Sequence, residues 1–182
     1  VLQDQGLVLV VTNEPKGRLI DYLKKYNIPY IYSDLKKSED ISQITDLKPD
    51  IGVLASFGAF VPQKVIDAFP LGILNIHPSL LQKFKGPSPI PFTNLSGDTT
   101  TGVTIIQLDN ELDHGPIVAQ KEVKLSGLET SQELLESMFS TGAEMLQKLV
   151  QDINKDKKLQ SNLQDHNLES WSLHIEKSDG KI

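Results

Sequence analysis

The sequence contains no cysteine. That excludes disulfides, thiol nucleophiles and thiolate metal sites, and it points toward a reducing compartment such as the cytoplasm. No apolar run approaches the roughly 20 residues needed to cross a bilayer, and no charged-then-apolar leader opens the chain. A soluble, untargeted protein without membrane contact is expected. Positive charge is scarce too: 18 Lys and Arg stand against 24 Asp and Glu, for a formal net charge of -6. A nucleic acid, if one binds, must be held by a local basic patch rather than by the field of the whole chain. There is no HExxH pair, G-x-S-x-G elbow, Walker lysine loop or GxGxxG fingerprint, so metalloprotease, serine hydrolase, P-loop and common dinucleotide chemistries have no motif behind them. His77 and His114 are the only histidines in candidate site loops, too few ligands for a tetrahedral metal site, and no metal is expected. His166 and His174 fall in a polar tail and read as solvated.

What is present suits a globular fold. With 182 residues, 38% hydrophobic and 23% charged, the chain can bury a core as one domain with a short tail. The run LVLVVT from Leu7 to Thr12 reads as a strand buried on both faces, and Lys16 to Tyr26 as a helix on Leu19, Ile20 and Leu23. Strand and helix then alternate: a strand at Ile28 to Tyr32, helix at Ser38 to Leu47, strand at Asp50 to Ala55, helix at Pro62 to Phe69 and strand at Gly72 to Ile76. Such alternation predicts an α/β fold with βαβ crossovers, a parallel sheet and helices on both faces. After His77, five residues (Pro78, Gly86, Pro87, Pro89 and Pro91) predict a loop. Gly102 to Leu108 and Pro116 to Leu125 predict a hairpin around an acidic loop that contains Asp113 and Gly115. From Thr130 a long helix is specified by a Thr130/Glu133 capping box and a stripe that includes Leu134, Met138, Phe139, Met145 and Leu146. Asn154 to Lys158 reads as a polar linker, and Ser170 to Ile175 as a short amphipathic tail.

Ligands in open α/β sheets lie outside the carboxyl ends of the strands, where Asn75, Ile76 and His77 fall. Asn75 and His77 are two apart, so both project to one face of an extended backbone and Ile76 to the other. The pair is either a convergent amide and imidazole with chemistry to do or a satisfied structural pair at a strand end. Asp113 is likewise open to two readings. It is an ordinary turn aspartate bonded to its own backbone, or it sits against His77, where it would orient the ring and favour its charged form.

At these residues a family likeness enters. Leu74 to Leu81, LNIHPSLL, followed by Lys85-Gly86-Pro87-Ser88-Pro89-Ile90, resembles the signature of the folate-dependent formyltransferases. Gly97-Asp98, Thr101-Gly102-Val103-Thr104-Ile105 and Leu112-Asp113-His114-Gly115-Pro116-Ile117 follow in the family's order and spacing, so the likeness covers roughly residues 7 to 150. The resemblance implies a Rossmann-like domain over residues 1–154, a tail over 155–182, 10-formyltetrahydrofolate as co-substrate, and formyl transfer to an amine by a cytoplasmic monomer. Position by position, the family's Asn, His and Asp match Asn75, His77 and Asp113. In that reading Asn75 and His77 donate to the developing oxyanion, while Asp113 keeps His77 charged and helps move protons toward the folate leaving nitrogen. The resemblance also implies a pterin pocket lined by Phe57, Gly58, Phe60 and Val61, with Leu112, His114 and Gly115 in a loop whose backbone reads the pterin edge.

The GPSPI stretch and the GDTTTGVTI run are most similar to the branch of the family that formylates methionyl-tRNA in translation initiation. Lys83, Lys85, Lys121 and Lys124 then form a candidate basic rim for the tRNA, beside the plainer reading of scattered surface lysines. Several family features have no counterpart. These are the first strand and its glycine turn ahead of Leu7, a longer basic loop where residues 13–18 stand, and a C-terminal OB-like domain; Gln82 replaces a common proline. Because the chain opens on Val and enters a strand almost at once, a preceding segment is expected. Two other acceptor readings stay open: an amine on a sugar nucleotide or other small molecule, and a folate-binding module without activity.

Overall fold

The computed structural model describes residues 6–155 and 158–180, which fall into two compact units, Val1–Ile73 and Leu74–Ile182. The expected gap ahead of Leu7 concerns mainly residues 1–5, and part of the expected polar linker is residues 156–157; both stretches lie outside the described residues, as do Lys181 and Ile182.

In the first unit the predicted alternation is present with shorter strands. β1 (Val10–Thr12) pairs in parallel with β2 (Tyr30–Tyr32), Val10 facing Tyr30 and Thr12 facing Tyr32. Between them α1 (Arg18–Lys25) buries Ile20 and Leu23, which pack with Ile28. Lys24 and Lys25 in its last turn complement the negative end of the helix dipole. α2 (Ser38–Thr45), β3 (Gly52–Leu54) and α3 (Gln63–Ile66) follow. The run before β1 is less buried than its composition predicts, since Val8 is 51% exposed. An apolar run alone does not fix how many faces are covered.

The second unit is an antiparallel sheet backed by a long helix. β4 (Ile73–His77) pairs with β5 (Thr100–Gln107), and β5 forms the predicted hairpin with β6 (Ile117–Lys124), with a register irregularity at Ile105/Ile106. The proline-rich stretch is not all loop: α4 (Pro89–Ser96) starts at Pro89. Pro89 and Pro91 occupy the first turn, where the amide they lack has no intrahelical partner. Gly97, at φ 69, ends the helix in the left-handed region. α5 (Ser131–Ile153) has the capping box read from the sequence, with Thr130 accepting from the Glu133 amide and Glu133 accepting from the Thr130 amide.

The buried line along α5 is Leu134, Met138, Gly142, Leu146 and Val150. A side chain at Gly142 would come within 2.5 Å of Ile76 Cγ2, so the glycine lets helix and sheet approach closely. Beyond α5 the chain returns to the sheet and its loops, through bridges between Asn162 and Ile117 and between Trp171 and Lys85. Among the described residues no helix is long and apolar enough to cross a membrane.

Candidate active site

The site is built at the carboxyl end of β4, whose residues are all buried. Ile76 is pinned against α5 at Gly142. Strand alternation therefore turns Asn75 and His77 together to the opposite face, and the cross-strand register, Asn75 facing Ile106 and His77 facing Thr104, holds them there. Thr104 secures the chain as it leaves β4, its hydroxyl donating to the Ser79 carbonyl and accepting from the Leu81 amide.

Asp113 meets them, which settles the geometry left open by the sequence. Its Oδ1 lies 3.4 Å from Asn75 Nδ2 and 3.4 Å from His77 Nδ1. Oδ2 accepts from the Gly86 amide at 2.8 Å. Asp113 adopts φ 49, a conformation costly for a residue with a Cβ and concentrated at functional sites. Next to it, a side chain on Gly115 would collide with the Gln107 carbonyl, so only glycine lets the loop close.

Burial alone would raise the Asp113 pKa. The hydrogen bond and charge of His77, the Gly86 amide and the charge of Lys85 together outweigh it and hold the carboxyl below its ordinary value. His77 Nε2 lies 2.9 Å from the Phe84 carbonyl. A carbonyl can only accept, so Nε2 carries a proton. Nδ1 then faces a carboxylate, and that contact is attractive only when a proton sits between Nδ1 and Oδ1.

Three of these partners, the Phe84 carbonyl, the Gly86 amide and Lys85, escaped the sequence reading. Two are backbone groups, which leave no signature in residue type. Lys85 stood in a family motif and was read as a surface cation. It is instead 1% exposed and paired with Glu169 at 2.8 Å, with His166 Nδ1 at 3.2 Å. The basic rim therefore loses Lys85, and Lys83 is engaged by Asp98. His166, read as solvated, stacks on His114 with ring centroids 4.2 Å apart and planes 3° from parallel.

The residues assigned to the pterin fall in two places. Phe57, Gly58, Phe60 and Val61 follow β3 in the first unit, where Phe60 is 71% exposed, Val61 is buried and Gly58 has φ 68. Leu112, His114 and Gly115 lie in the second unit around Asp113. There Leu112 is exposed, His114 Nδ1 contacts Asp109 Oδ2 at 2.6 Å and Gly115 is buried. Leu112 and His114 border a cavity of about 250 Å³ shared with Lys85, His166, Glu169 and Trp171. The cavity falls just below the range of about 300–1,000 Å³ typical of ligand sites. Among the described residues no group of three or more His, Asp or Glu side chains could hold a metal.

Comparison with known proteins identifies what the chain is similar to. Residues 3–150 match the family model described as Formyl transferase. A methionyl-tRNA formyltransferase of Chloroflexus aurantiacus is 34% identical over 158 residues, covering 86% of this chain and 51% of that protein. One of Acetivibrio thermocellus is 32% identical over 184 residues, covering 96% of this chain and 59% of that protein. The chain thus spans between half and three fifths of these relatives. A crystal structure of phosphoribosylglycinamide formyltransferase from Bacillus halodurans superposes with a TM-score of 0.66 at 28% identity, covering 76% of this chain and 78% of that one. The likeness agrees with a Rossmann-like α/β architecture.

Proposed function

We propose that this chain, which belongs to the formyl transferase family, uses Asn75, His77 and Asp113 to transfer a formyl group from 10-formyltetrahydrofolate to the amino group of methionyl-tRNA. The observation that carries the reading is the convergence of the Asn75 amide and the His77 imidazole on one oxygen of the buried Asp113 carboxylate, Oδ1. The acceptor rests on the methionyl-tRNA formyltransferase relatives.

The donor brings a formyl carbon open to attack by an amine; the rest of the reaction asks for charge stabilisation and proton movement. Asn75 Nδ2 commits one hydrogen toward Asp113 and has a second for an oxygen that gains negative charge during attack. His77 can add a second donor once Nε2 leaves the Phe84 carbonyl, a local rearrangement of the kind that substrate binding drives. The proton held between His77 Nδ1 and Asp113 Oδ1 can pass to the leaving nitrogen as its C–N bond breaks, and the proton that the amine sheds as the new C–N bond forms takes its place. Leu112 offers exposed apolar surface of the kind a flat heterocycle covers. Around Asp113, the left-handed backbone shapes the loop whose main-chain groups would read a pterin edge.

The likeness to a phosphoribosylglycinamide enzyme supports a second reading, with the same chemistry on a small amine. Formyl transfer to methionyl-tRNA, measured beside phosphoribosylglycinamide and a sugar-nucleotide amine, separates the two. His77→Ala and Asp113→Asn are each expected to lower transfer about 100-fold or more. Transfer to the small amine alone would reassign the acceptor, and full activity in both variants would remove the assigned centre.

A further inference from the structure

We propose that Gln164, together with Ser170 and Ser172, positions the reaction centre: the segment from Gln164 to Ser172 is a strap that sets the two loops supplying the partners of His77. This rests on the reading of Asn75, His77 and Asp113 as that centre.

The strap makes two separate grips. At one, the buried Gln164 donates through Nε2 to the carbonyls of Asp113 at 2.9 Å and Gly115 at 2.7 Å. Those carbonyls bracket His114, so one side-chain amide spans the turn in which Asp113 is held at φ 49. Two carbonyl partners fix which end of the amide is nitrogen. Among the described residues its Oε1 is buried without a hydrogen-bond partner.

At the other grip, the segment lies along the loop that carries the Phe84 carbonyl and the Gly86 amide. The Phe84 amide donates to Ser170 Oγ at 3.0 Å, and the Lys85 amide to the Ser170 carbonyl at 2.9 Å. Ser170 returns a bond from its amide to the Gln82 carbonyl. Ser172 Oγ donates to the Lys85 carbonyl at 2.9 Å and accepts from the Ser88 amide at 3.0 Å. A side chain at Gly86 would meet the Ser172 carbonyl at 2.6 Å, so the loop touches the strap backbone directly.

Each grip leads to one side of His77. Gln164 sets the turn whose carboxylate faces Nδ1; Ser170 and Ser172 set the loop whose carbonyl faces Nε2 and whose Gly86 amide reaches Asp113. Among the described residues, no hydrogen bond joins Gln164, Ser170 or Ser172 directly to His77 or Asn75, so the strap acts through the groups it holds. Indirect contacts of this kind govern rate because small displacements of reacting groups are costly.

The test uses the full chain with Gln164→Met, which keeps length and removes both donors, and Ser172→Ala as the milder change should the first fail to fold. Two readouts are taken on the folded variants. In ligand-free protein, the His77 ring and Asn75 side-chain amide resonances are compared with wild type. In the transfer reaction, kcat and KM are separated. The strap predicts moved His77 and Asn75 signals with kcat down about tenfold to 100-fold and KM within about twofold. Unmoved signals with unchanged kcat, or a loss of rate that only tracks the unfolded fraction, overturns it. If wild-type protein fails to formylate methionyl-tRNA, the acceptor assignment fails, while the resonance comparison still decides for or against the strap.

Discussion

His77 faces an acceptor on both sides, a carboxylate at Nδ1 and a carbonyl at Nε2. A neutral ring has one N–H and can satisfy only one of them. The Asp113 carboxyl, held below its ordinary value near 3.8, makes a stability prediction. A carboxyl with a depressed pKa in the folded state contributes stability that is complete above its unfolded value and disappears as pH falls through the folded value. Wild-type protein should therefore lose unfolding free energy as pH drops below about 4, and Asp113→Asn should show a flatter acid limb in urea titrations. At neutral pH the same variant is expected to be destabilised by roughly 1–3 kcal/mol, since it leaves the buried imidazole without its anion. An unchanged acid limb would mean that Asp113 is not the group responsible. At this scale the sequence was partly legible. Strand alternation put Asn75 and His77 on one face, but 38 residues separate Asn75 from Asp113, and no local pattern brings them together.

The elements show why some features could be read and others could not. Capping of α5 was legible because a side-chain motif encodes it, and the β5–β6 hairpin because a polar glycine-bearing loop separates two strand-like runs. α4 was hidden, since its prolines act as breakers everywhere except in the first turn they occupy. Gly142 was also missed; a glycine in an apolar stripe looks like a gap until the opposing Ile76 is known. That contact couples α5 to the site strand. Gly142→Ala would gain about 0.8–1 kcal/mol of helix propensity and incur about 1–3 kcal/mol of overpacking. A net loss of up to about 2 kcal/mol is the expected result. Combined with Ile76→Ala, which removes the methyl it strikes, the cost in chemical denaturation should fall short of the sum of the single changes. Strict additivity would show that the two do not press on each other.

For the molecule as a whole, the balance of charge governs how a polyanion is met. A net charge of -6 gives no general attraction, and the candidate rim has lost Lys85 to burial and Lys83 to Asp98. Lys121 and Lys124, exposed on β6, remain. If methionyl-tRNA is the acceptor, as proposed, its binding should weaken with salt along a shallow log–log line, and Lys121→Ala or Lys124→Ala should each reduce its slope by up to about 0.9. Filter binding at several salt concentrations measures this; a slope unaffected by either change would place the tRNA elsewhere. The α/β class was legible from alternating runs across the chain, whereas the fate of the tail was not. Its polar composition suggests solvent, and only the folded loops reveal the backbone groups it satisfies.

The strap also carries a consequence for the order of events during synthesis. Gln164 reaches back 51 residues to Asp113, and Ser172 reaches back 87 residues to Lys85. At about 5–20 residues per second, the ribosome delivers Ser172 roughly 4–17 s after Lys85. Asn75 and His77 precede that interval and Asp113 is made within it, so for the rest of it the side chains assigned to the centre exist before the parts that fasten their loops. A growing chain would therefore pass through a stage in which the proposed reaction centre is written but its loops are not yet fastened.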